Sequence, residues 1–343
     1  MRVAELTGVG RFRLYETDPA EPGPGQVRVR VAAVGLCGSD LHYYSEGAIG
    51  DTECVYPMVL GHEPAGVLDK PGPGVTGWSA GDRVALEPAL YCYHCEFCLA
   101  GRHNICSNIR FMSMPEEPGF LRDYVVLPAA NLLPLPPAIS VEEGALVEPL
   151  SVVLHSMQFA ALRPAETAAV FGAGPIGLMT VATLRLSGAG RIWCVEPVAH
   201  RRELALRVGA DAALDPAAVD ASATILSETG QRGVDVSIDC AAKDGTIDHA
   251  IRATRNGGRV VMTGIPSERT LTLEFHVMRR KELTLYNVRR SNRESQAALE
   301  LLRQHRERFA PMITHTRPLE KIGEAFAIFA AYADGVGKMM IRL

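Results

Sequence analysis

Residues 170–181 read VFGAGPIGLMTV. An apolar run, TAAVF, leads into Gly172-x-Gly174-Pro175-Ile176-Gly177, and a helix-like stretch, GPIGLMTVATLRLSG, follows. In that order the glycines have separate tasks: the first permits the turn, the second lets main chain approach a pyrophosphate, and the third lets helix and strand pack closely. Glu196 ends the next apolar run, RIWCVEP, nineteen residues after Gly177. A carboxylate there can accept both hydroxyls of an adenosine ribose. It would repel a 2′-phosphate, which favours NAD over NADP, although Arg201 and Arg202 follow closely. The plainer alternatives are an ordinary strand-to-helix turn and a solvated acid at a strand end.

Outward from this turn the grammar repeats. RIWCVEP is followed by AHRRELALRVG, VDVSIDC by GTIDHAIRATR, and then comes GGRVVMTG. Alternating strand and helix signals predict a parallel sheet covered by helices. Upstream, from Pro22 to Val67, short β-branched runs such as QVRVRVAAVG are punctuated by EPGPG, and KPGPGVTG follows; this pattern predicts small sheets with tight turns. After ELTLYNVRR the series stops. SNRE at Ser291 offers a capping box for a helix through ALELLRQ, LEKIGEAFAIFAAYA supplies another, and KMMIRL reads as a closing strand. The fold class is α/β: a β-rich domain over residues 1–150, a dinucleotide-binding domain over 151–285, and a tail, 286–343, that returns to the first.

Two groups of metal-ligand residues lie in the first domain. Cys92, Cys95, Cys98 and Cys106 fall in CYHCEFCLAGRHNIC, within a lobe of about residues 88–110. Four thiolates on one loop can close a tetrahedron around zinc with no position left open, the pattern of a structural site. His94 and His103 share the loop and are read as surface residues. The second group is dispersed: Cys37 in GLCGSDLH, His62 and Glu63 in LGHEPAG, and Glu148 in LVEPLSVVLH. One thiolate, one imidazole and one or two carboxylates would leave an open position, as a catalytic zinc requires. Singly, each has a plain reading as core filler, a locally satisfied histidine or a turn.

Composition excludes several classes. Over 343 residues the chain is 47% apolar and 22% charged with a net charge of −4, so it offers no basic field for nucleic acid. The start, MRVAELTGVGRFRLYE, lacks a charged head and apolar run, and no apolar run reaches about 18 residues. A cytoplasmic protein without a membrane span is expected, and eight cysteines without a secretion signal point to metal ligands before disulfides.

Taken together, CGSDLHYYSEGAIGD, PMVLGHE, the four-cysteine lobe, EEGALVEPLSV and FGAGPIG resemble, in that order, the zinc-containing medium-chain dehydrogenase/reductase superfamily, from about residue 22 to the end. They look most like its polyol branch, the sorbitol (L-iditol 2-), xylitol and L-idonate 5-dehydrogenases. The resemblance implies a GroES-like catalytic domain in two pieces around a Rossmann domain, two zinc ions per chain, NAD, and a dimer or tetramer. It makes Cys37, His62 and Glu63 ligands of the catalytic zinc, with Glu148 ligating directly or through water. Ser39 and His42 match the relay that carries the hydroxyl proton through the cofactor ribose to solvent, and Asp40 is read as orienting the turn. Tyr43, Phe111 and Arg289 match the substrate pocket, with Arg289 also near the cofactor. Thr263, Gly264, Ile265, Asn287 and Val288 match cofactor contacts, as do Pro175, Ile176 and Arg201.

The implied reaction moves a hydride from a secondary alcohol carbon of a polyol or sugar acid to NAD. Arg290 departs from the pattern, standing where sorbitol dehydrogenases carry an aromatic residue. A second cationic donor there would suit a carboxylate-bearing substrate such as an aldonate, unless it points to solvent or to a subunit interface. Two alternatives remain: the same architecture acting on threonine or a simple alcohol, and a catalytically idle dinucleotide-binding protein, which would be expected to have lost a ligand or relay residue.

Overall fold

The computed structural model describes residues 1–243 and 245–343. They divide into two compact units.

One unit comprises Val152–Ser291 with Glu307–Met312. Its six strands stand in the order Ala212–Leu214, Arg191–Val195, Thr167–Phe171, Val234–Asp239, Thr254–Met262, Thr284–Asn287. Every neighbouring pair is parallel. Helices Pro175–Leu186, Ala199–Val208, Ala221–Glu228 and Thr246–Ala253 link the strands. Strands of a parallel sheet covered on both faces are buried on both faces; all six residues of Val234–Asp239 are buried, and its polar members Asp235, Ser237 and Asp239 are hydrogen-bonded. The first strand in sequence, Thr167–Phe171, sits beside the fourth, so strand order reverses there. Loops at the carboxyl ends of such a switch point form the binding crevice of this fold, and the glycine turn leaves the end of this strand.

The other unit comprises Met1–Ser151, Asn292–Arg306 and Ile313–Leu343. Six strands run in the order Leu132–Pro134, Arg83–Leu86, Glu63–Pro71, Gln26–Gly35, Lys338–Arg342, Ile313–Pro318, and Tyr124–Pro128 also pairs with Gln26–Gly35. In QVRVRV the alternation buries Val27, Val29 and Val31 and turns the residues between them outward. The closing strand Lys338–Arg342 pairs antiparallel with Gln26–Gly35 and lies in the first unit.

Two details differ from expectation. The dinucleotide unit extends to Ser291 and not to residue 285, because Thr284–Asn287 is the sixth strand of its sheet. The helix expected from Ser291 begins at Ser295. Arg293 has φ of 72°, a left-handed conformation that cannot continue within a right-handed helix, and the side chain of Asn292 is used elsewhere.

Candidate active site

The strand Gln26–Gly35 ends one residue before Leu36, and Cys37 caps the short helix Gly38–Ser45. Its neighbour Glu63–Pro71 begins at Glu63, directly after His62, and Glu63 lies opposite Gly35 in register. Two adjacent strand ends therefore deliver Cys37, His62 and Glu63 to one place, with ligand atoms all within 4.8 Å of one another.

Asp40 binds this corner together. It is buried, and its carboxylate accepts from the Cys37 N–H at 3.1 Å, the Gly61 N–H at 3.2 Å and the Ser113 hydroxyl at 3.1 Å. It also lies 3.3 Å from His62 Nδ1. Burial alone would raise the Asp40 carboxyl; His62 and the two amides outweigh it and hold the group below its ordinary value. Burial likewise opposes a charged His62 ring, yet Asp40 and Cys37 pull it well above the ordinary histidine value. An anionic field that favours a proton on His62 also favours a metal cation. With Nδ1 committed to Asp40, His62 presents Nε2 to the ligand group, the buttressing common to metal-bound histidines.

The surroundings supply chemistry. Ser39 Oγ is 3.4 Å from His62 Nε2. His42 stands on the same helix, partly buried, with Nδ1 3.1 Å from Glu46. The Phe111 ring centroid lies 5.6 Å from that of His62. Glu148 stands at the start of the helix Val147–Ala160, outside the group of three ligands. It lines a cavity of about 240 Å³ together with Glu87, Tyr91, His103 and Arg293. Burial pushes its carboxyl up to about 8; Glu63 and Glu87 add to the push, while His62 and Lys338 oppose it. Tyr43, expected in the substrate pocket, is 1% exposed in the core, its hydroxyl 3.5 Å from Met114 Sδ.

Cys92, Cys95, Cys98 and Cys106 also converge within 4.8 Å. Three of their sulfur separations are 3.4, 3.9 and 4.0 Å. A tetrahedron of zinc–sulfur bonds of about 2.3 Å has edges of about 3.8 Å, so the donor set fits zinc. Backbone amides of the loop, led by that of His94, hold the Cys92 thiol down to about 5, while burial pushes Cys98 up to about 12; metal binding requires all four deprotonated. His103, expected at the surface, is buried between Tyr91 and Tyr93 and accepts from Arg293 at 2.9 Å. Asn292 secures the same lobe, donating to Gly101 O at 2.9 Å and accepting from the His103 N–H at 2.8 Å.

In the other unit the fingerprint turn has the shape its glycines require. Gly172 has φ of 93°, and a Cβ on Gly177 would collide with the Gly172 carbonyl. A Cβ on Gly174 would meet nothing, so the space over the start of the helix Pro175–Leu186 is open for a pyrophosphate. Glu196 is buried and braces the turn, accepting from the Ala173 N–H at 2.6 Å and the Val198 N–H at 2.9 Å. Each oxygen keeps an acceptor position for a ribose hydroxyl. Arg201 is buried, and Arg202 is engaged with Glu196 O, Pro197 O and Asp215. Thr263 and Gly264 both donate to Asp239 O at 2.9 Å, and Ile265 beyond them is exposed. The Val288 N–H donates to Met262 O at 2.9 Å, Asn287 and Arg289 are exposed, and Arg290, half-buried, has φ of 55°.

Sequence reasoning understated Asp40, whose reach across three segments has no sequence signal, and it passed over Lys338. The signal for Lys338 was available: a charge placed directly before the apolar run MMI in the closing strand.

Residues 23–137 match the alcohol dehydrogenase GroES-like domain and residues 175–304 the zinc-binding dehydrogenase domain. Sorbitol dehydrogenase of Bacillus subtilis is 33% identical over 99% of this chain and 97% of its own. L-idonate 5-dehydrogenase of Vitis vinifera is 35% identical over 99% and 94%. A solved zinc-binding dehydrogenase from Sinorhizobium meliloti, bound to NADP, superposes with a TM-score of 0.90 at 29% identity, covering 100% of this chain and 99% of that one. With a closed four-thiolate lobe, a second three-ligand group and a dinucleotide turn on one chain, this protein belongs to the zinc-binding dehydrogenase family and carries its alcohol dehydrogenase GroES-like domain.

Proposed function

We propose that the protein oxidises a secondary hydroxyl of a polyol or sugar acid to a ketone, passing the hydride to NAD. The observation that carries this reading is the cluster of Cys37, His62 and Glu63 beside a serine hydroxyl. Three protein ligands leave a fourth position for a substrate oxygen. Similarity to the sorbitol and L-idonate dehydrogenases supports the substrate class.

Cys37, His62 and Glu63 would hold the catalytic zinc, and the four lobe cysteines a structural one. When bound, zinc supplies a Lewis acid that makes the hydroxyl more acidic, and NAD supplies the hydride acceptor. Ser39 Oγ, at the edge of the ligand group, takes the hydroxyl proton as it gives up its own, and His42, one turn along the same helix, receives the released proton and passes it to solvent. Glu148, standing outside the three-ligand group, holds a hydrogen bond to substrate oxygen or to water in place of ligating directly. Phe111 supplies an apolar wall beside His62. Glu196 would take the adenosine ribose, and Arg202 is committed to main chain and Asp215 and not to a 2′-phosphate; NAD is favoured.

The same reading extends to assembly and location. Among the described residues the edge strand Thr284–Asn287 pairs on one side only, and Ile265, Leu271 and Phe275 are exposed shortly before it, which supports a homodimer or a larger homo-oligomer. Eight free cysteines, five of them candidate zinc ligands, suit the reducing cytoplasm. Among the described residues no helix is long and apolar enough to cross a membrane.

The test is reduction of NAD, with NADP in parallel, across sorbitol, xylitol, L-idonate, threonine and short alcohols. Turnover confined to polyols or aldonates is expected; turnover of threonine or short alcohols alone would refute the substrate class. Arg290→Tyr then asks whether the second arginine selects the substrate: L-idonate should lose relative to sorbitol, and an unchanged ranking would remove Arg290 from the substrate site.

A further inference from the structure

Lys338 opens the closing strand Lys338–Arg342 and is 0% exposed. Its Nζ donates to the Leu36 carbonyl at 3.0 Å and forms an ion pair with Oε2 of Glu63, itself buried. It thus touches both ligand-bearing segments at once, one residue from Cys37 and directly on Glu63. Strand pairing does not need it: Leu36 N–H already donates to Met339 O at 3.0 Å. The next three residues, Met339, Met340 and Ile341, are apolar and fully buried, so an apolar side chain would be the ordinary choice here. Burying an ammonium is costly unless a charge partner compensates it. Room for the pair is also built in, since a side chain at Gly35 would collide with both the Glu63 carboxylate and Lys338 Cε.

Resting on the zinc-site reading above, we propose that Lys338 is a positioning residue for the catalytic metal. It fixes one oxygen of Glu63 so that this carboxylate offers the metal a single, oriented oxygen. It also holds the Leu36 carbonyl, and through it the backbone at Cys37. Its charge offsets the Glu63 carboxylate that the strand ends bring beside Cys37. Lys338 acts on the metal through Glu63.

The experiment follows release of each zinc from the intact protein to a chelator such as dipicolinate, the lobe zinc serving as internal control. In Lys338→Gln, which keeps a donor near Leu36 O and drops the charge, one zinc is expected to leave about 10–100-fold faster, with lobe zinc unchanged. Lys338→Arg should restore most of the retention. In a Glu63→Gln background, adding Lys338→Gln should change nothing further. That comparison also serves if K338Q alone does not fold, because the double variant leaves no unpaired charge. Equal release from wild type and K338Q, or faster release from the double variant than from E63Q, would overturn the proposal. A wild-type protein that carries only lobe zinc would instead overturn the metal-centre reading itself.

Discussion

At the scale of single residues the site depends on carboxylates in contrasting environments. Asp40 is kept ionised by two amides, a hydroxyl and His62, whereas Glu148 is kept neutral by burial and by neighbouring acids. Asp40→Asn preserves size but exchanges an acceptor for a donor facing buried N–H groups. Zinc retention or kcat/KM for NAD reduction should fall about 10–100-fold; retention and kcat/KM both within twofold of wild type would show that Asp40 merely fills space. Glu148 gives a pH prediction. Below its ordinary value of 4.5 the carboxyl is neutral in both folded and unfolded chains; between 4.5 and about 8 only the unfolded chain ionises. Folding therefore loses stability as pH rises through that window, at about 1.4 kcal/mol per pH unit in the limit. Zinc-stripped Glu148→Gln should match zinc-stripped wild type near pH 5 and be more stable by a few kcal/mol near pH 8, read from denaturant melts at each pH. A gap independent of pH would place the carboxyl elsewhere. These acids were visible in the sequence, but their states were not, because both depend on neighbours 20 to 200 positions away, Gly61, Ser113 and Lys338 among them.

At the scale of elements, legibility followed how local the determinant is. The glycine turn and the four-cysteine lobe are each encoded in fewer than twenty consecutive residues, and both fold as their spacing requires. The start of the helix Ser295–Gln304 was misplaced because its true boundary answers a remote demand: Asn292 and Arg293 are drawn onto the lobe at Gly101 and His103. The lobe is accordingly held by its metal and by that clamp, with little core of its own. Cys98→Ser should lower zinc from two ions to one per chain and lower the melting temperature by roughly 5 °C, a cost of one to a few kcal/mol. Amides between residues 92 and 106 should exchange with solvent far faster. Retention of both ions would show that three thiolates suffice.

At the scale of the whole molecule the alternating grammar of residues 167–262 disclosed a parallel sheet, and its end disclosed the return of the tail. The sixth strand was missed as a strand because Thr284–Asn287 is short and half-exposed, so it lacks the apolar run that marked its neighbours. That same exposure carries the last prediction. An edge strand with unpaired backbone groups is a liability unless something covers it, and here the approach to it adds exposed Leu271 and Phe275, the latter 57% exposed. Exposed aromatic and aliphatic residues beside an open edge suit a second copy of the same chain, whose edge can extend the sheet by symmetry. Sedimentation should show at least a dimer at micromolar concentration. Leu271→Asp with Phe275→Asp should shift it toward monomer while each unit keeps its melting behaviour, because neither side chain lies in the core. A wild-type monomer, or an oligomer indifferent to both charges, would mean that this edge is covered in some other way.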